Sequence, residues 1–222
     1  MTHTLHRVKS ENGRTNDYVV LIMPARGINN QDSVETFKKY IDLLAPFHPV
    51  NMGGIGIGNL ALNTVEELRE NITPEAPMIH AVFSDRDPLI EAMKALKEAD
   101  YGYSVVVSGL VDDVDCCAKK AGIQRHSVDL SLGIWGKIDK LPDEKIMEIT
   151  TMCGHGMISA NLVSKMIDDI RAGRTTARKA AVKLAEPCAC GIFNIDMPPR
   201  ALVDDESTEW HETTLEAFKD TM

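Results

Sequence analysis

Three cysteines and a histidine in this chain have the types and spacing to do chemistry. Cys153 and His155 stand in TTMCGHGMIS (150–159), each followed by a glycine; Cys188 and Cys190 stand in EPCACGIF (186–193). Thiolates bind zinc, iron and iron–sulfur clusters, and where their pKa is lowered they act as nucleophiles or bases. The other two of the five cysteines are the adjacent Cys116 and Cys117. Cysteines this few and this clustered point to metal or redox chemistry in a reducing compartment, and not to a disulfide framework.

The elements around them would bring the two pairs together. Apolar residues at 158, 162, 166 and 170, joined by 163 and 167, predict a helix over 157–173 with Gly173 as its C-cap. Thr175 or Thr176 can cap a second helix over 177–186, which carries Ala177, Ala180, Ala181 and Leu184 on one face and is stopped by Pro187. So short a connection makes an antiparallel hairpin. At 1.5 Å per residue the helices are roughly 24 Å and 15 Å long, which leaves about 9 Å for the flanking loops to bridge. Cys153 then meets Cys188 and Cys190 at one end of the hairpin. The N-terminus of the first helix favours a thiolate at Cys153. Gly154 and Gly156 leave backbone N–H groups free to approach sulfur, and Cys-x-Cys-Gly after a proline is a rigid turn. The candidate metal ligands are therefore Cys153, Cys188 and Cys190; Gly154, His155, Gly156 and Gly191 are the candidate residues around the bound group.

Three thiolates leave the ligand set open. A [4Fe–4S] cluster takes four cysteines, and Cys117, beside Val114, Ala118 and Ala121, is the spare one. His155 would instead complete a closed Cys₃His zinc site, although both pairs here are one residue apart where zinc modules use two to four. An iron with an open position is a third arrangement. Cys116 and Cys117 also read as small buried residues. A rival reading takes Cys153 alone: CGHG ahead of a helix is similar to the first catalytic cysteine of cofactor-independent proline racemases and epimerases, in which a thiolate removes an α-proton. PCACGIFN lacks the threonine of that family's second turn and follows a helix instead of opening one. His126, Glu148, Asp168 and Asp169 are further acid–base groups, with capping or solvated positions as the alternative. GGIGIG (53–58) misplaces the third glycine of a dinucleotide fingerprint, so a glycine-rich turn explains it as well as a phosphate cradle does.

Ahead of the hairpin, strands and helices alternate. YVVLIMP (18–24), HPVNMGGIGIG (48–58), MIHAVFS (78–84), YSVVVSG (103–109) and HSVDLSLGIWG (126–136) read as strands. The segments 32–47, 64–71, 87–99 and 110–122 read as helices; Thr64 with Glu67 forms a capping box, and Gly122 ends the last. That order predicts an α/β fold: an N-terminal mixed or parallel sheet with flanking helices, ferredoxin-like or doubly wound, over 1–140. A small helical, cysteine-bearing domain with an acidic tail, helical from about 207, follows over 141–222, with 137–145 as the junction.

Composition narrows the partners. The 222 residues carry 24 Lys and Arg against 33 Asp and Glu, a net −9 with no basic stripe, which argues against nucleic acid. The longest apolar run, 18–25, is too short to span a membrane, and the polar N-terminus has no signal-peptide core. The expected setting is cytoplasmic, with a redox partner protein or a small-molecule substrate, and with a homodimer permitted.

HSVDLSLGIWGK, EITTMCGHGMIS and AEPCACGIFN together resemble a family of iron–sulfur binding proteins from anaerobic bacteria whose activity is uncharacterised. The resemblance covers roughly residues 100–195. It implies a [4Fe–4S] centre on Cys153, Cys188 and Cys190 with a further ligand, and a redox or cluster-dependent role in anaerobic metabolism.

Overall fold

A computed structural model of the chain describes residues 17–128 and 135–196. Most of the strand expected over 126–136, and the whole of the tail helix expected from about 207, lie outside the described residues.

The central element is β1, Tyr18–Met23, in which Tyr18 to Ile22 are all buried. Each such Val, Leu or Ile contributes on the order of 1.5–3 kcal/mol by leaving water. The chain continues through α1 (Ser33–Leu44), β2 (Asn51–Gly54), β3 (Gly58–Asn59), α2 (Val65–Glu70), β4 (Ile79–Phe83), α3 (Arg86–Ala99), β5 (Ser104–Ser108) and α4 (Val111–Lys120). The expected capping box forms: Glu67 N–H donates to Thr64 Oγ1, and Thr64 N–H donates to the Glu67 carboxylate.

The sheet order is β3-β2-β4-β1-β5, and every pairing is antiparallel. The fold is α/β as expected, but the sheet is neither mixed nor parallel, and a doubly wound arrangement is not formed. The reason lies in what alternation dictates. A helix between two strands makes them run the same way without making them neighbours. Here α1 carries the chain from β1 to a β2 that runs parallel to it, and β4 is inserted between them. The unit β4-α3-β5 is split by β1 in the same manner.

Both faces of the sheet are covered, which explains why YVVLIM reads as one apolar run with no alternation. Tyr18, Val20 and Ile22 face a core with Phe37 and Ile41 of α1, Leu89 and Met93 of α3, and Cys117 and Ala118 of α4. Val19, Leu21 and Val82 face a second core, built by the chain after residue 140. A 3₁₀ turn (Ile138–Lys140) leads into that segment, which holds α5 (Glu144–Thr150), α6 (Ala160–Arg171) and α7 (Ala177–Ala185). Ser159 caps α6 and Thr176 caps α7, with the turn between them made at Gly173, φ +68°. The sheet is thus a wall shared by the two helical layers. Among the described residues no helix is long and apolar enough to cross a membrane.

Candidate metal centre

Two short turns on the second face of the sheet carry the reactive side chains. In Cys153-Gly154-His155-Gly156 the Gly156 N–H donates to the Cys153 carbonyl at 3.0 Å, and Gly156 takes φ +67°. In Cys188-Ala189-Cys190-Gly191 the Gly191 N–H donates to the Cys188 carbonyl at 2.8 Å, and Gly191 takes φ +72°. The two turns are copies of one design: a ligand-type side chain at the first and third positions and a glycine at the fourth, where the left-handed backbone disfavours a Cβ. The pattern C-x-(C/H)-G, twice, is visible in the sequence, and the spacing within each pair was its signal.

The turns face each other. Cys188 Sγ lies 3.7 Å from Cys190 Sγ, and Cys190 Sγ lies 3.6 Å from His155 Nδ1. Cys188 also hydrogen-bonds Cys153. Cys153, Cys188 and Cys190 are buried, and His155 is exposed. The contacts run as a chain, Cys153–Cys188–Cys190–His155, and not as a closed cage. Among the described residues no three His, Cys, Asp or Glu side chains are arranged to hold a metal ion as they stand.

The protons are unevenly shared. The Cys188 hydrogen bond and the backbone N–H groups of Met157 and His155 hold Cys153 well below the ordinary thiol range, against the opposing effect of burial. Cys188 and the Ile192 N–H lower Cys190 in the same way, with His155 adding to it. Cys188, the donor to both, is pushed up by those bonds and by burial. Cys188 thus donates to both neighbours, and those bonds favour their ionised forms over its own. The helix terminus expected to favour the Cys153 thiolate is not its source: α6 begins only at Ala160, and the Cys188 hydrogen bond, with the Met157 and His155 amides after it, does that work.

Residues that sequence reasoning did not single out hold the second turn in place. Asn51 Nδ2 donates to the carbonyls of Gly191 at 2.6 Å and Phe193 at 3.0 Å. His80 Nε2 lies 2.7 Å from the Cys190 carbonyl, and since a carbonyl only accepts, that nitrogen carries the proton. Asn51 and His80 are fully buried on the sheet face opposite the first core. A buried polar residue on a strand between apolar neighbours was the available signal.

GGIGIG forms the β2–β3 hairpin. A Cβ on Gly53 would stand 2.0 Å from the Gly58 oxygen, and one on Gly54 2.5 Å from the Met78 oxygen, so these two glycines are explained by the backbone neighbours they admit. The hairpin also abuts the centre, since a Cβ on Gly191 would lie 2.9 Å from Asn59 Cβ. Cys117 packs in the first core, on the opposite face of the sheet from the three clustered thiols, and is not brought to them. Cys116 is exposed. His126 is exposed and bonded to Ser127, Asp168 is exposed, and Asp169 is taken up by Lys165 and Arg174. A cavity of about 280 Å³ opens beside Cys153, Gly154 and Gly156, walled by Pro142, Ile158 and Ala160.

Fold and site together define an α/β protein with a buried thiol cluster on one face of its sheet. No protein-family model, curated protein or solved structure matches the chain.

Proposed function

We propose that this is a metal-binding protein whose centre is one tetrahedral ion held by Cys153, His155, Cys188 and Cys190, two ligands from each turn. The spacing of the side chains carries the reading. Bonds of about 2.3 Å to sulfur and about 2.05 Å to nitrogen, at tetrahedral angles, put two sulfurs about 3.8 Å apart and sulfur and nitrogen about 3.6 Å apart. Cys188 and Cys190 stand at 3.7 Å, and Cys190 and His155 at 3.6 Å. Zinc fits a set of three thiolates and one imidazole. Binding asks the two ends of the chain, Cys153 and His155, to close around the ion.

A [4Fe–4S] cluster on Cys153, Cys188 and Cys190, as the family resemblance implies, is the second reading. The cavity beside Cys153 favours it, because a cubane needs room that one ion does not. Thiolates on separate irons also stand further apart than two on one ion, so the turns would have to spread. Under this reading the centre serves electron transfer or chemistry at an open iron. A reducing, cytoplasmic setting suits either centre, since thiols this close oxidise readily elsewhere. The interleaved β1-α1-β2 and β4-α3-β5 units support a ferredoxin-like sheet, with β3 added at its edge.

The test is metal and acid-labile sulfide content, with a visible spectrum, on protein purified without oxygen. About one zinc per chain and no sulfide is the expected result. About four irons with four sulfides and a brown colour would replace it with the cluster. A chain that binds neither on reconstitution overturns the metal reading.

A further inference from the structure

The three clustered cysteines also form a line of sulfurs that begins at a cavity. Cys153 helps wall a space of about 280 Å³, and Cys188 and Cys190 are not among its walls. Behind Cys153 stands Cys188, hydrogen-bonded to it. Next comes Cys190, with its Sγ 3.7 Å from that of Cys188. We infer that this line reduces small organic hydroperoxides, with Cys153 the attacking sulfur, Cys188 its resolving partner and Cys190 the end of the relay. The inference concerns the thiols themselves and stands or falls apart from the metal reading.

Burial selects the oxidant. Cys153, Cys188 and Cys190 are 2%, 3% and 1% exposed, so a protein disulfide or another bulky oxidant does not reach them. The cavity admits a small molecule instead, and Pro142, Ile158 and Ala160 offer it carbon surface. The hydroxyls of Thr150 and Thr151 are turned back to the Met147 and Glu148 carbonyls, at 3.3 Å and 3.5 Å. A peroxide with a short alkyl group suits such walls. Each step balances. The Cys153 sulfur attacks the outer peroxide oxygen: a sulfur–oxygen bond forms, the oxygen–oxygen bond breaks, and the alcohol leaves with the thiol's proton. A sulfenic acid condenses with a neighbouring thiol. Cys188 is that neighbour: a disulfide to Cys153 forms and one water leaves. Cys190 then attacks Cys188, and exchange moves the disulfide to that pair while Cys153 regains its thiol. The last step asks Cys188 and Cys190 to close from 3.7 Å to about 2.05 Å. In sum two thiols are oxidised, and the hydroperoxide is reduced to an alcohol and water.

The experiment treats the full chain, reduced and stripped of metal with a chelator, with one equivalent of tert-butyl hydroperoxide in the absence of oxygen. The expected result is loss of the peroxide together with two of the five thiols, and a Cys188–Cys190 disulfide on mass mapping. Cys190→Ser should stop at a Cys153–Cys188 disulfide. Cys188→Ser should leave a sulfenic acid on Cys153, which dimedone traps. Ala160→Phe, or Pro142→Trp if that variant misfolds, should slow the reaction with tert-butyl hydroperoxide and spare that with hydrogen peroxide. A wild-type chain that keeps all five thiols overturns the inference, as does dimedone trapping at Cys190 in place of Cys153 in Cys188→Ser. Undiminished reduction of tert-butyl hydroperoxide by both filled-cavity variants overturns it as well. None of these outcomes bears on the metal content that tests the earlier reading.

Discussion

Asn51→Ala tests whether the sheet holds the turn that carries Cys188 and Cys190. The side chain is fully buried and donates to the carbonyls of Gly191 and Phe193 at 2.6 Å and 3.0 Å. Removing it leaves two buried acceptors unpaired, at about 1–3 kcal/mol each, so the metal-free chain should lose about 2–6 kcal/mol. The low end applies where a water enters the vacated space. The loss is local to the turn that carries Cys188 and Cys190, so zinc affinity should fall about 10–100-fold, the usual effect of losing a group that orients a ligand. Asn51→Asp keeps the shape but turns both donors into acceptors, and should do at least as much harm. Urea unfolding of the metal-free chain measures the first quantity, and competition with a chromophoric chelator the second. Wild-type zinc affinity in Asn51→Ala, alongside the full loss of stability, would refute the idea that the sheet's buried amide orients the ligands.

Gly191→Ala and Gly156→Ala separate backbone strain from crowding: both need a positive φ, at about 1–2 kcal/mol, but only at Gly191 does the new methyl meet Asn59, so it should be the worse by a further 1–3 kcal/mol, roughly, in urea unfolding. The bonds from Cys188 lower the Cys153 and Cys190 thiols and raise its own, so zinc uptake at pH 7 should release fewer than three protons per ion, read with a pH indicator. The same shifts set the stability of the metal-free chain: the two lowered thiols add stability as pH rises toward the ordinary thiol value, and the raised Cys188 removes it above that value. Stability should therefore peak near about pH 8.5, and Cys188→Ala, which removes the bond that lowers its two neighbours as well as its own raised thiol, should flatten both the rise below that pH and the decline just above it in urea titrations at several pH values. Cys117→Ser buries an unpaired hydroxyl in the first core and should cost about 1–3 kcal/mol with metal content unchanged, whereas Cys116→Ser should stay within about 0.5 kcal/mol.

What the sequence made legible follows from how local each signal is. The capping box at Thr64, the Pro187 stop and a cap at Thr175 or Thr176 depend on a few adjacent residues; the first two stand where the spacing put them, and of the two threonines Thr176 is the cap. The start of α6 moved from 157 to Ala160, because Ser159 supplies the cap while Gly156 at φ +67° keeps the turn out of the helix. Strand neighbours are a long-range property. Nothing within YVVLIM says that β4 and β5 flank it, and the buried run suits a parallel strand equally well. Cys117 shows the same limit: its helical face was readable, but which side of the sheet that helix covers was not.

The fate of Asn51 and His80 shows why a site can be half visible. A polar residue inside a buried strand costs stability unless it is paired, so its presence signals a partner without naming one. The partners are the carbonyls of 190, 191 and 193, more than a hundred residues away in sequence. Those carbonyls cannot pair within a helix or strand, because Gly191 turns the chain so that both sulfurs of the Cys188–Cys190 pair face one point. The sheet supplies the donors that such a turn lacks. The cysteine spacing thus reports the chemistry, while the buried amide and imidazole report the support that the chemistry requires. Either feature alone reads as ordinary core; only their pairing across the sheet face makes a site.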